Sequence, residues 1–162
     1  MKILGIDPGL QVCGYAVLDS DGGDVKLIEA GVCRTDAKAS LDYRLVQIGR
    51  DINSLLEKYR PDCVAVEELY SHYAHPRTAI LMGHARGVIL ATARAAGAEV
   101  KSFAATRIKK SLTGNGRAAK QQMQRSIKTL LALAELPEPA DVADAIAVAL
   151  CCANSKNLRF GI

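Results

Sequence analysis

At 162 residues, 49% hydrophobic and 23% charged, the chain has the make-up of one ordinary globular domain with enough material for a three-layer core. No apolar run approaches the roughly 18 residues of a membrane span, and the opening stretch MKILGIDPGL meets an acid at Asp7, so it lacks the long apolar region of a signal peptide. A formal charge of +4 tilts the surface gently towards polyanions, and five cysteines, odd in number and set among apolar neighbours, suit thiols kept reduced in a cytoplasm rather than a disulfide framework or a zinc site. KILGID (2–7) predicts a short apolar strand ending on an acid, with Pro8-Gly9 supplying a turn. CGYAVLD (13–19) and VKLIEAGVCRT (25–35), joined through DGGD (21–24), predict two further strands and, with the first, an antiparallel meander.

From Ser40 to Tyr59 the period changes: Leu41, Leu45, Ile48, Ile52, Leu55, Leu56 and Tyr59 mark one helical face, and Pro61 stops it. CVAVE (63–67) is a continuous apolar run, as expected of a central strand covered on both faces. Residues 76–97 predict a second long helix, whose Ile80, Leu81, Met82, Val88, Ile89 and Leu90 spread around the axis. Such a helix is expected to be buried on more than one side, one face on the sheet and another against a second subunit. EVKSFAA (99–105) predicts the last strand, followed by a short helix, a Gly-x-Gly loop at 114–116, a helix over roughly 117–134 and a final helix at 140–153. Residues 154–162 read as a flexible tail, and no internal repeat or linker divides the 1–162 domain. The expected fold class is α/β: a mixed five-stranded sheet, an antiparallel meander followed by parallel strands, flanked by helices.

The final helix raises a question, because ADVADAIAVAL (140–150) sets two aspartates among Ala, Val and Ile. Taken alone, Asp141 reads as an N-cap after Pro137 and Pro139, and Asp144 as an acid favoured by the helix dipole. The strands suggest another role. A helical crossover makes the first strand and the CVAVE strand parallel neighbours. In open α/β sheets the chemistry gathers at the carboxyl ends of the strands, where Asp7 and Glu67 stand. Residues three apart on a helix share a face, so a final helix lying over this edge would aim Asp141 and Asp144 at the same place. Four converging carboxylates repel, and no Lys or Arg is interleaved with them in sequence. A bound cation is the natural compensation, and all-oxygen ligation selects Mg²⁺ or Mn²⁺. Two such ions, on the order of 4 Å apart, can activate a water and stabilise the leaving oxygen of a phosphodiester. The basic stretch RIKKSLTGNGRAAK (107–120), around its flexible glycines, suits phosphate contact without base readout; its other reading is a solvated charged face.

Four motifs, GIDPG at 5–9, VAVEELY at 64–70, GHARGV at 83–88 and ADVADAIAVAL at 140–150, resemble in the same order the RuvC family of Holliday junction resolvases, and the similarity runs from Met1 to about Ala153. GIDPG alone is weak, since sugar-kinase and actin-like ATPases also carry a strand-end Asp and Gly, but those folds need two such domains and a far longer chain. The resemblance implies an RNase H-like fold, a homodimer, and a cytoplasmic Mg²⁺-dependent endodeoxyribonuclease that resolves four-way DNA junctions by two symmetric nicks in recombination and repair. It also implies two Mg²⁺ ions per subunit, replaceable by Mn²⁺, and cooperation with the RuvA–RuvB branch-migration motor.

Carried over residue by residue, the family's catalytic and metal-binding acids fall on Asp7, Glu67, Asp141 and Asp144. The lysines matching Lys109 and Lys120 assist binding or cleavage, and Tyr70 stands where the family has an aromatic that stacks on junction bases. A ring packed in the core or under a loop is the alternative for Tyr70. Glu68 replaces a frequent Gln of the family, and strand alternation is expected to turn its side chain away from the site. In SHYAHPRTA the chain departs from the pattern, with Ala74 and His75 in place of a basic residue and Asn; His72 and His75 read as loop residues. Two other readings are an RNase H-like nuclease acting on RNA–DNA hybrids, and a junction-binding scaffold in which the acids are only caps and turns. Cleavage of a junction against a hybrid separates the first, and Mn²⁺ titration the second.

Overall fold

A computed structural model of the chain describes residues 1–21, 23–69 and 76–157. The predicted stretches 70–75, with Tyr70, His72, Ala74 and His75, and 158–162 lie outside the described residues. Strands β1 (Lys2–Asp7), β2 (Val12–Asp21) and β3 (Asp24–Arg34) form the meander. Helix α1 (Leu41–Tyr59) crosses to β4 (Cys63–Glu67), and α2 (Pro76–Ala95) to β5 (Glu99–Phe103). Helices α3 (Ala105–Thr113), α4 (Lys120–Leu130) and α5 (Ala140–Asn157) follow. The sheet order is β3-β2-β1-β4-β5. β1 pairs antiparallel with β2 and parallel with β4, β2 pairs antiparallel with β3, and β4 parallel with β5. The mixed sheet expected from the sequence is thus present, with β1 and β4 at its centre.

Both central strands are covered on both faces, which is why they read as unbroken apolar runs. On one face Ile3, Leu18 and Ala65 pack with α3, α4 and α5; on the other Leu4, Ile6, Val17, Val64 and Val66 pack with α1 and α2. Cys13, Cys63, Cys151 and Cys152 are buried within these layers. Helix α5 lies unusually close to the sheet. A Cβ added at Gly5 would stand 2.7 Å from the Ala149 Cβ and overlap the Ala145 carbonyl oxygen, so only a glycine at that point admits the helix.

Several boundaries differ from the sequence reading. Helix α4 is shorter than 117–134, because Asn115 and Thr113 organise the preceding loop: Arg117 N–H donates to Asn115 Oδ1 at 2.9 Å and Asn115 N–H to Thr113 Oγ1 at 3.1 Å. Helix α5 runs on through Asn157, tied to α3 where Asn154 Nδ2 donates to Ser111 Oγ at 3.2 Å, so 154–157 belongs to the helix rather than to a tail. Helix α2 is buried along one line only, Ala85, Ile89 and Ala93, against α1 and the sheet, while Ile80 is 61% exposed. Leu81, Val88 and Leu90 are partly buried against the same layer and Met82 lines a neighbouring cleft, so Ile80 is the large apolar residue of this helix left exposed.

Candidate active site

The site grows out of the carboxyl ends of β1 and β4. These parallel strands run in register, Ile6 beside Val66, so the acids that follow, Asp7 and Glu67, emerge side by side at one edge. Across β1 on the other side, Asp7 pairs with Gly14 of β2. A Cβ added at Gly14 would overlap the Asp141 carbonyl and stand 3.2 Å from the Asp141 Cβ. The missing side chain of Gly14 therefore seats the first turn of α5 next to Asp7.

The capping account of the two aspartates does not hold. Helix α5 begins at Ala140, and the N–H of Val142 donates to the Pro139 carbonyl at 3.0 Å, so Pro139 occupies the cap and Asp141 and Asp144 lie within the helix. Their spacing carries Asp144 one turn further along the edge, over β1 and β4.

Asp7, Glu67 and Asp144 line a cleft of about 290 Å³ together with Lys109 of α3 and Lys120 of α4. Asp141 is not part of its wall, but its charge acts on the Asp7 carboxyl. Burial, and after it the charges of Asp144, Glu67 and Asp141, push the Asp7 carboxyl up to about 8, against the opposing pull of Lys120. Burial and Asp144 raise Glu67, and burial raises Asp144 despite Lys120 and Lys109. Lys120 Nζ stands 3.6 Å from Asp144 Oδ2, an ion pair on an open rim. One lysine pair does not neutralise the group, and near neutral pH Asp7 keeps a proton that a bound cation would release.

The donor set is all carboxylate, which fits a hard divalent ion. Among the described residues no three acid, histidine or cysteine side chains close on one point tightly enough to hold an ion unaided. Mg²⁺ takes one or two carboxylates and completes its octahedron with waters and substrate phosphates, so the acids fit an open centre rather than an all-protein cage.

Two residues escaped the sequence reading. Glu68 lines the same cleft instead of facing away, because β4 ends at Glu67 and strand alternation no longer governs the residue after it. Arg86, inside the GHARGV motif, binds the end of β4 from α2: its Nε donates to the Glu67 carbonyl at 3.0 Å. The motif was visible in the sequence, but its target lies on another element.

A five-stranded mixed sheet with acids at the ends of its central strands, closed by a C-terminal helix bearing two more, defines an RNase H-like domain with a hydrolase-type acidic cleft. Its particular lineage is equally plain. The model of the family described as crossover junction endodeoxyribonuclease RuvC matches residues 3–152. A Rhodopirellula baltica protein of that name is 50% identical over 149 residues, 92% of this chain and 84% of its own. One from Heliobacterium modesticaldum is 46% identical over 162 residues, 100% of this chain and 98% of its own. The Thermus thermophilus RuvC structure superposes with a TM-score of 0.90 at 31% identity, covering 98% of this chain and 97% of that one. T. thermophilus RuvC in complex with Holliday junction substrate gives 0.88 at 30%, covering 98% and 96%. The chain belongs to the RuvC family.

Proposed function

We propose that the chain is a Mg²⁺-dependent Holliday junction resolvase, cutting four-way DNA by paired symmetric nicks during recombination and repair. The observation that carries this function is the meeting of Asp7, Glu67 and Asp144, with Asp141 beside them, at one sheet edge flanked by Lys109 and Lys120. It is supported by membership of the RuvC family and by the likeness to a T. thermophilus RuvC bound to Holliday junction substrate.

Asp7, Glu67, Asp141 and Asp144 would together hold the divalent ions. The chemistry such ions would supply is activation of a water and neutralisation of charge on the scissile phosphate and leaving oxygen. Lys109 and Lys120, on separate helices at the rim, would grip the phosphates on either side of the cut without reading sequence. Tyr70 would stack on an opened base at the crossing point.

A Holliday junction has approximate two-fold symmetry, and a C₂ dimer offers one site per matching strand. The uncovered side of α2, with exposed Ile80, is the surface we assign to that dimer. No helix among the described residues is long and apolar enough to cross a membrane, and the reading places the enzyme in the cytoplasm, working with the RuvA–RuvB motor.

The test is cleavage of a synthetic mobile four-way junction, with and without Mg²⁺ and with nick positions mapped, beside an RNA–DNA hybrid of equal length. Symmetric Mg²⁺-dependent nicks in the junction and an intact hybrid are expected. Preferential cutting of the hybrid would overturn the substrate, and an intact junction the function.

A further inference from the structure

Helix α2 reaches the acidic edge with Met82, which lines the cleft, and with Arg86, which binds the strand ends beside it. Arg86 Nε donates to the Glu67 carbonyl at 3.0 Å and its Nη2 to Ser102 Oγ at 2.7 Å. Glu67 is the last residue of β4, and Ser102 lies one residue from the end of β5, so one planar guanidinium spans the ends of two neighbouring parallel strands. The ladder between these strands closes nearby, where the Glu68 N–H donates to the Phe103 carbonyl at 3.0 Å. Arg86 itself does not line the cleft. Its bond is to the backbone of Glu67, whose carboxylate leaves the chain at the same Cα and points to Asp7 and Asp144.

Charge-assisted bonds of this kind are about twice as strong as neutral ones, and the fork of an arginine fixes direction as well as distance. At the end of the five-residue β4, where the ladder to β5 stops, the Glu67 carbonyl takes its bond from Arg86. A small rotation there moves a carboxylate by a large fraction of a coordination distance.

We propose that Arg86 is a positioning residue: by clamping the ends of β4 and β5 it sets where the Glu67 carboxylate stands, and so tunes the affinity of the cleft for a divalent cation. This rests on the reading of the acids as a metal site. Arg86 touches no reacting atom and acts through Glu67.

The experiment titrates Mn²⁺ into the metal-free full chain without DNA, for the wild type, Arg86→Gln, Arg86→Lys and Ser102→Ala. Loss of an outer-shell partner typically costs 10–100-fold in metal affinity, so Arg86→Gln should weaken Mn²⁺ binding by roughly tenfold. The Mg²⁺ concentration for half-maximal junction cleavage should rise in parallel, with metal-free junction affinity held within about twofold. Lysine can reach only one of the two acceptors, and Arg86→Lys should fall between. An arginine needed only for folding would lower the unfolding midpoint and leave Mn²⁺ affinity alone. That outcome, in a folded Arg86→Gln, overturns the proposal. Should Arg86→Gln not fold, Ser102→Ala decides: a two- to threefold weaker affinity supports the clamp and an unchanged one overturns it. A wild type that binds no Mn²⁺ contradicts the metal site itself, whereas a binding wild type matched by its variants contradicts only the role of Arg86.

Discussion

Helices α2 and α5 are near twins in sequence: both are long, alanine-rich and apolar around most of the axis. In the fold they part company. Every residue from 145 to 153 of α5 is buried, because the sheet lies on one side and α3 and α4 on the others. Only Ala85, Ile89 and Ala93 of α2 are buried, and Ile80 faces outwards. An apolar helix needs cover on every side, and α5 obtains it from its own chain over 145–153, whereas α2 leaves Ile80 in the open. The difference sorts their roles. α5 is packed closely against β1 and β2, as suits the element that carries Asp141 and Asp144, the two acids proposed as catalytic. α2 leaves Ile80, on the surface assigned above to the proposed dimer, exposed, while its Arg86 reaches the end of β4.

The largest expected effect lies in the chemistry that α5 and β1 share. Asp7→Asn should lower junction cleavage by more than about a thousandfold, the scale of losing one member of a catalytic unit. Its junction affinity in gel-shift titrations should stay within a few-fold, and wild-type cleavage would break the mechanism. Next comes the contrast between the helices themselves. Ile146→Ala, which empties a buried place on α5, should cost about 2–5 kcal/mol in urea unfolding. Ile80→Ala on α2 should cost within about 0.5 kcal/mol of nothing in dilute monomer, as for other surface changes. In place of a stability loss, Ile80→Glu should shift sedimentation from dimer to monomer. If both alanine variants unfold alike, the two helices are not different in kind.

Gly14→Ala sharpens the contrast further, since its new methyl meets backbone of α5 rather than a yielding side chain. It should destabilise the protein by about 1–3 kcal/mol and depress cleavage through the displaced Asp141. A smaller effect follows from pH. Asp7 is raised from 3.8 to about 8, so between those values the native protein keeps a proton that the unfolded chain has released. The stability tied to that proton is complete below about pH 4 and is lost as pH rises through about 8. With EDTA present, Asp7→Asn should therefore gain on the wild type as pH rises, by at least about 1 kcal/mol near pH 9, or roughly 2–4 °C in Tm. A thermal-melt series showing a constant difference from pH 4 to pH 9 would contradict it. Smallest is Lys109→Gln, which should reduce the slope of log affinity against log salt by about one phosphate contact without altering where the junction is cut.

Much of this was legible in the chain. Short apolar runs bounded by turn residues placed the five strands, a 3.6-residue period placed α1, and CVAVE (63–67) matches β4 residue for residue. Asp7 and Glu67 were legible as strand-end acids, a local property, whereas aiming Asp141 and Asp144 at them required the position of α5 over that edge, which local rules do not set. What escaped depends on contacts between distant elements. Periodicity alone cannot tell which of two apolar helices finds its cover within the chain. Alternation misplaced Glu68 because it stops where pairing stops, one residue earlier. Pro139, not Asp141, caps α5 because the Pro139 carbonyl takes the first helical bond, a preference that cap statistics do not favour. Gly14 reads as an ordinary strand residue until α5 is seen lying on it.

The account stands or falls on whether the acids at this edge gather a divalent cation. Calorimetric titration of Mn²⁺ into the metal-free wild type, run at pH 7 in two buffers of different ionisation enthalpy, addresses this most directly. Saturable binding with net proton release is predicted, because a cation must displace the proton that burial and its neighbours keep on Asp7, and Asp7→Asn should abolish the release. Absence of any Mn²⁺ site in the folded wild type would contradict the account.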